Sequence, residues 1–192
     1  PRDMAHMTWH DWYDSACDGY YLLRGCCSDV CVAGLSMGGL LALLLGLNFP
    51  VKKIISLSTP VFISSKTDVE NLPPREAAKN IYTLKARRHL FSVPPCCNIS
   101  YKKMPLICVH ELIDCIRYLK ENINKITVPV LVVQSSNDHT VDNKSGRYIY
   151  DKIKSTNKYI LQLEKSGHLV ILDIERDIVF ARIKSFLSDD SE

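Results

Sequence analysis

No apolar run in this chain looks able to cross a bilayer. The most continuous hydrophobic stretch considered, Gly39 to Leu47, is far shorter than the roughly 20 residues a spanning helix needs. No stable membrane insertion is therefore expected, and no secretory leader is recognisable at the amino terminus. A surplus of charge is also missing, since 24 Lys and Arg against 21 Asp and Glu leave a formal net charge of +3. The basic residues are scattered apart from Lys52-Lys53, Arg87-Arg88 and Lys102-Lys103, which reads as solvated surface and excludes a nucleic-acid partner. Among eight cysteines there is no C-x-x-C, so zinc binding is not expected. The apolar neighbours of Cys31 and Cys108 predict buried free thiols. Cys17, Cys26, Cys27, Cys96, Cys97 and Cys115 complete the set, and an α/β domain of this size needs no disulfides, which points to a reducing cytoplasm. What remains, 192 residues with 46% hydrophobic and 23% charged, is the balance of one globular domain.

Within that domain the most informative stretch is Val30-Cys-Val-Ala-Gly-Leu-Ser-Met-Gly-Gly39, which runs directly into Leu-Leu-Ala-Leu-Leu-Leu. A strand over Asp29 to Ala33, expected to be buried, ends in Gly34-x-Ser36-x-Gly38 and becomes an apolar helix, which Asn48 and Pro50 stop. Strand, Gly-x-Ser-x-Gly and helix in that order form a nucleophile elbow. Lifting a serine Oγ clear of a sheet requires a sharp, strained turn, so Gly34 and Gly38 are expected to be small for steric reasons. Ser36 is then the candidate nucleophile, and the Met37 N–H at the helix start is a candidate oxyanion donor.

A serine alcohol needs a base, and the base needs an orienting acid. Pro129 to Gln134 reads as an apolar strand that empties into the turn Ser135-Ser-Asn-Asp138-His-Thr-Val141. Lys158 to Leu163 reads as a second strand, emptying into Glu164-Lys-Ser-Gly167-His168. Carboxyl ends of parallel strands are where catalytic groups collect. Ser36, Asp138 and His168 follow one another in the chain order of an α/β-hydrolase triad. Nearby Asp142 has a simpler role as the N-cap of a helix over Asn143 to Lys154. Asp173 and Glu175 sit at the start of a closing helix, where negative charge suits the helix dipole, and neither is assigned chemistry. Val179, Ile183, Phe186 and Leu187 would form that helix's core face.

Gly34-Leu-Ser-Met-Gly-Gly39, Val132-Val-Gln-Ser-Ser-Asn-Asp138 and Ser166-Gly-His168 followed by Leu172-Asp173 resemble the bacterial carboxylesterase and monoacylglycerol lipase group of the α/β-hydrolase superfamily. The resemblance extends over almost the whole chain and includes Trp9-x-x-Trp12-Tyr13 and the closing Phe186-Leu187. It implies an α/β-hydrolase fold, with a mostly parallel sheet flanked by helices. It also implies a serine esterase acting on small-molecule esters with short to medium acyl chains, with Ser36 as nucleophile, His168 as base and Asp138 as orienting acid. No metal or organic cofactor is expected, because protein groups supply nucleophile, base and electrostatic stabiliser.

The same resemblance sets an expectation about what precedes Pro1. Family members begin with further strands, and a His-Gly-aromatic loop after an early one completes the oxyanion hole. No such segment occurs here, so the chain reads as N-terminally incomplete, with first strands and the second oxyanion donor missing. Residues 1–60 and 126–192 would form the hydrolase core, and 61–125 a helical cap inserted before the Asp-bearing strand. Within that cap a helix is expected over Arg75 to Leu90 and another through Leu112, Cys115, Ile116 and Leu119, while Pro73-Pro74 and Pro94-Pro95 break it into pieces. Val93 and Met104 to Val109 would mostly seat the cap, with some residues facing an acyl pocket. Two other functions fit the same residues: a peptidase or thioesterase using the triad, and a non-catalytic binding module of the same fold.

Overall fold

Alternation along the strands explains how the chain layers itself. The computed structural model describes residues 1–65, 69–84 and 101–188. Four parallel strands, β1 (Cys31–Leu35), β2 (Lys53–Leu57), β5 (Val130–Ser135) and β6 (Lys158–Leu163), form a sheet in the order β1-β2-β5-β6. Neighbouring residues of a strand point to opposite faces. Ile54, Val130 and Val132 pack on one side with α1 (Trp9–Arg24) and α2 (Met37–Asn48). The helices α4 (Ile107–Asn122) and α5 (Lys144–Lys152) contribute Cys115, Ile116, Leu119 and Ile149 to that same layer. Ile55, Leu57, Leu131 and Val133 pack on the other side against Val179 and Phe186 of α6 (Arg176–Ser188). The central strands β2 and β5 are buried at every residue, so both of their faces are covered, as a parallel sheet requires.

The helix after the elbow is the most deeply buried of the described helices. Leu40, Leu43 and Leu44 of α2 are at most 1% exposed, and each contributes about 1.5–3 kcal/mol by leaving water. On the opposite face the buried Lys53 ammonium donates to the carbonyls of Phe186 at 2.9 Å and Leu187 at 3.2 Å. These carbonyls lie in the last turn of α6, where a cation both caps and complements the dipole. Leu187 itself is 40% exposed, so the core face of α6 rests on Val179 and Phe186.

Three expectations change. The strand before the elbow is not buried: among the described residues β1 pairs only with β2, and Cys31 and Ala33 are exposed. Cys31 is therefore an exposed thiol while Cys108 is buried, as anticipated; both are free, and Cys96 and Cys97 lie outside the described residues. The helix expected from Arg75 to Leu90 stops after one turn, α3 (Arg75–Ala78). The aromatic and β-branched pair Tyr82-Thr83 favours extended structure, and Tyr82–Leu84 (β3) pairs antiparallel with Lys103–Pro105 (β4). Residues 85–100, with Val93 and Pro94-Pro95, lie outside the described residues. Arg75 instead forms ion pairs with Glu111 and Asp114 of α4, and the buried Glu111 also accepts the Trp9 N–H at 3.1 Å, tying α3, α4 and α1 together. No described helix is long and apolar enough to cross a membrane.

Candidate active site

Ser36 stands between β1 and α2 with φ 56° and ψ −121°. A non-glycine residue at such a φ costs about 1–3 kcal/mol, and its surroundings must enforce the conformation. Two backbone bonds do so: Ser36 N–H donates to the Leu57 carbonyl at 2.8 Å, and the Ser36 carbonyl accepts from Gly39 N–H at 2.8 Å. The other described non-glycine residue with positive φ is Ser58, at φ 45° just past the adjacent strand β2. Strain is thus concentrated at the carboxyl edge of two neighbouring strands. The Met37 N–H donates to no described residue, leaving one amide of the α2 amino terminus free beside Ser36.

The steric demand at the elbow differs from the expected one. A Cβ at Gly34 would run into the backbone carbonyl of Gly38, and a Cβ at Gly39 into the Thr59 side chain. At Gly38 a Cβ would meet no described heavy atom within 4 Å. The close approach that lets α2 start directly above β1 therefore rests on Gly34 and Gly39. We predict that Gly34→Ala lowers stability by about 1–3 kcal/mol or more, because backbone on both sides must shift. Gly38→Ala is expected to be neutral or to add about 0.5–1 kcal/mol, as glycine-to-alanine changes in a helix do. Urea midpoints of the two variants check this, and equal losses would contradict it.

Asp138 and His168 meet across the ends of β5 and β6. His168 Nδ1 lies 2.8 Å from Asp138 Oδ2, and the two side chains are 12% and 0% exposed. Asp138 Oδ1 accepts from the amides of Thr140 at 2.8 Å and Val141 at 3.0 Å. Burial pushes the carboxyl up, but the hydrogen bond from His168, the Val141 and Thr140 amides and the neighbouring imidazole outweigh it and hold the group below the ordinary carboxylate value. An ionised Asp138 accepts from Nδ1–H, so Nε2 carries the free lone pair. Asp142 faces another way: its Oδ1 accepts the Lys144 amide at 2.9 Å at the start of α5, and its own N–H donates to Phe62. The Asp138 turn is pinned from the β2 side by the antiparallel bridge between Ile63 and Val141 and by Ser64 N–H donating to the Thr140 carbonyl. Ser36 Oγ makes no hydrogen bond to a described residue.

Three residues that sequence reasoning left without a site role hold the loop that leads to His168. Glu175 Oε2 accepts the amides of Lys165 at 2.9 Å and Ser166 at 2.7 Å and the Ser166 hydroxyl at 2.7 Å. Its other oxygen lies 3.3 Å from the Glu164 amide. Asp173 Oδ2 accepts the Gly167 amide at 2.7 Å, and the Ser135 hydroxyl donates to the Ser166 carbonyl. Burial raises the Glu175 carboxyl and the Ser166, Lys165 and Glu164 donors lower it further than that, for a net downward shift. The only signal in the sequence was two carboxylates shortly after a histidine loop, which the helix dipole already accounted for.

Known proteins show which family the chain belongs to. A carboxylesterase from Bacillus subtilis (strain 168) is 30% identical over 190 residues, a match covering 97% of this chain and 75% of that protein. The chain belongs to the carboxylesterase and monoacylglycerol lipase group of the α/β-hydrolase superfamily. A thermostable monoacylglycerol lipase from Bacillus sp. (strain H-257) is 30% identical over 193 residues, covering 97% of this chain and 74% of that protein. Residues 98–175 match the family described as serine aminopeptidase, S33. Among solved structures, one of the metagenome-derived lipolytic enzymes LipS and LipT superposes with a TM-score of 0.86 at 25% identity, covering 96% of this chain and 75% of that one. The fold of the group, a mostly parallel sheet flanked by helices, is the fold described above.

Proposed function

We propose that the chain is a serine carboxylesterase that hydrolyses short- to medium-chain carboxylic esters or monoacylglycerols through Ser36, His168 and Asp138. The observation that carries this reading is the hydrogen bond from His168 Nδ1 to a fully buried, ionised Asp138, at the same carboxyl edge of the sheet as the strained Ser36. His168 Nε2 takes the Ser36 proton as Oγ attacks the ester carbonyl, and Asp138 stabilises the imidazolium and its orientation. The Met37 N–H donates to the developing oxyanion. The alcohol leaves with the proton from His168, and water repeats the sequence on the acyl-enzyme. The link from Ser36 Oγ to Nε2 tightens as substrate binds, as it does in other hydrolases whose free-state contacts are long. Residues 61–125 act as the cap, with its last helix α4 seated in the main core through Cys115, Ile116 and Leu119. The names of the two Bacillus relatives support ester substrates.

A second reading has one observation in its favour, the aminopeptidase description of the family matched over residues 98–175. A substrate panel separates the two. Nitrophenyl esters of two to sixteen acyl carbons, monoacylglycerols, an acyl thioester and an aminoacyl anilide are compared by kcat/KM. Turnover is expected on the esters, with a maximum at short or medium chain length and at least about 10²-fold preference over the anilide, a margin that differential transition-state binding readily supplies. Preference for the anilide would replace the esterase reading by a peptidase, and no turnover on any member would favour a binding module.

A further inference from the structure

The loop that carries His168 offers a run of consecutive backbone donors to carboxylates further along the same connection, just before α6. Glu164, Lys165 and Ser166 present their amides to Glu175, and Gly167 presents its amide to Asp173. Ser166 is doubly held, because its hydroxyl donates to Glu175 Oε2 and accepts from the Glu175 N–H at 3.2 Å. On the other side of the loop the Ser135 hydroxyl donates to the Ser166 carbonyl, while its oxygen accepts the Asn137 amide at 3.2 Å. Ser135 therefore touches both the turn that leads to Asp138 and the loop that leads to His168. A loop left to water would sample many backbone conformations. Here two carboxylates fix its amides one after another, and the fixed segment ends one residue before the imidazole.

Glu175 is placed to act as the anchor. It immediately precedes α6, whose position is set by Val179 and Phe186 in the core and by Lys53 at its far end. Rigidity of the packed helix is thereby passed through one carboxylate to the loop. A charge-assisted bond from a backbone amide to a carboxylate is about twice as strong as a neutral one. The amides it holds are only partly buried, so water can solvate them when the carboxylate is removed, and the loss falls on loop geometry more than on folding.

We propose that Glu175 is a positioning residue for the reaction, holding the 164–166 backbone so that the His168 imidazole stays on Asp138 and faces Ser36. The proposal rests on the Ser36, Asp138 and His168 reading above. It predicts that loosening the clasp lowers kcat with little change in KM, because the substrate-binding surface is untouched while the base wanders. Displacing a catalytic group by about 1 Å costs on the order of 10²-fold in rate.

The test compares wild type with Glu175→Ala, Glu175→Gln, Asp138→Asn and His168→Ala, with Arg147→Ala as a remote surface control. Steady-state hydrolysis of a nitrophenyl ester and the far-downfield proton resonance of a carboxylate-bound imidazole Nδ1–H are recorded for each. Glu175→Ala is expected to lose about 10²-fold in kcat at near-constant KM and to broaden or lose the downfield resonance. Glu175→Gln, which keeps an acceptor oxygen, is expected to recover part of both, and Arg147→Ala to change neither. If Glu175→Ala fails to fold, Glu175→Gln alone decides, through its own kcat and resonance. Wild-type kcat and an intact resonance in the Glu175 variants would overturn the proposal while leaving the triad standing. A resonance that survives His168→Ala or Asp138→Asn, with unchanged turnover, would overturn the triad reading and this proposal with it.

Discussion

Replacing Ser36 by alanine is expected to lower ester turnover about a millionfold, the scale seen when the nucleophile of a serine hydrolase is removed. The size of the effect follows from covalent chemistry, since no other group in the elbow offers an oxygen at the carboxyl edge of β1. Residual rate would come from binding and from the oxyanion donor at Met37. Stability should stay close to wild type, because alanine at φ 56° carries the same backbone strain as serine. Stopped assays at high enzyme concentration, beside a thermal melt of each protein, measure both quantities. A variant that keeps more than a few per cent of wild-type kcat would remove Ser36 from the nucleophile role.

Asp138→Asn should cost about 10⁴-fold in kcat and leave the fold intact. An amide in place of the carboxylate can donate to Nδ1 and so stabilise the wrong imidazole tautomer, with the proton on Nε2 where the lone pair is needed. The side chain is fully buried, so water cannot substitute for the lost acceptor. The Thr140 and Val141 amides still find an oxygen on asparagine, which preserves the turn. Asp142→Asn, by contrast, changes a group that accepts only the Lys144 amide at a helix start, where asparagine serves equally well. Its kcat should stay within about twofold of wild type. Reversed effects would make Asp142 the orienting acid.

The parts of this architecture that were legible in the sequence are those dictated by local pattern. β5 and β6 fall close to the runs Pro129 to Gln134 and Lys158 to Leu163, β5 because a strand buried on both faces must be largely apolar and β6 because its apolar and aromatic residues favour extended structure. α2 was legible for the same reason as β5, its leucines leaving no polar face to show to water. Exposure of β1 was not legible in the strand's own residues: Cys31-Val-Ala reads alike in a central strand and at an edge, and only pairing distinguishes them. The one-turn α3 was missed because helical spacing continued through Tyr82 and Leu84, while the pairing of β3 with β4 decided the outcome. At the site, residue order suggested Ser36, Asp138 and His168, yet the Glu175 clasp depends on how α6 docks beside β6, which no spacing encodes. The steric roles of Gly38 and Gly39 likewise exchange because of where Thr59 comes to lie.

The central claim is that Ser36 is made nucleophilic by His168, and covalent labelling tests it most directly. The protein is treated with a fluorophosphonate, digested, and the modified peptide sequenced by mass spectrometry. The account predicts a single adduct on Ser36, absent from Ser36→Ala and formed at a rate lowered by orders of magnitude in His168→Ala. An adduct that persists in Ser36→Ala and maps to Ser135 or Ser166, or one that forms at the wild-type rate without His168, would contradict it.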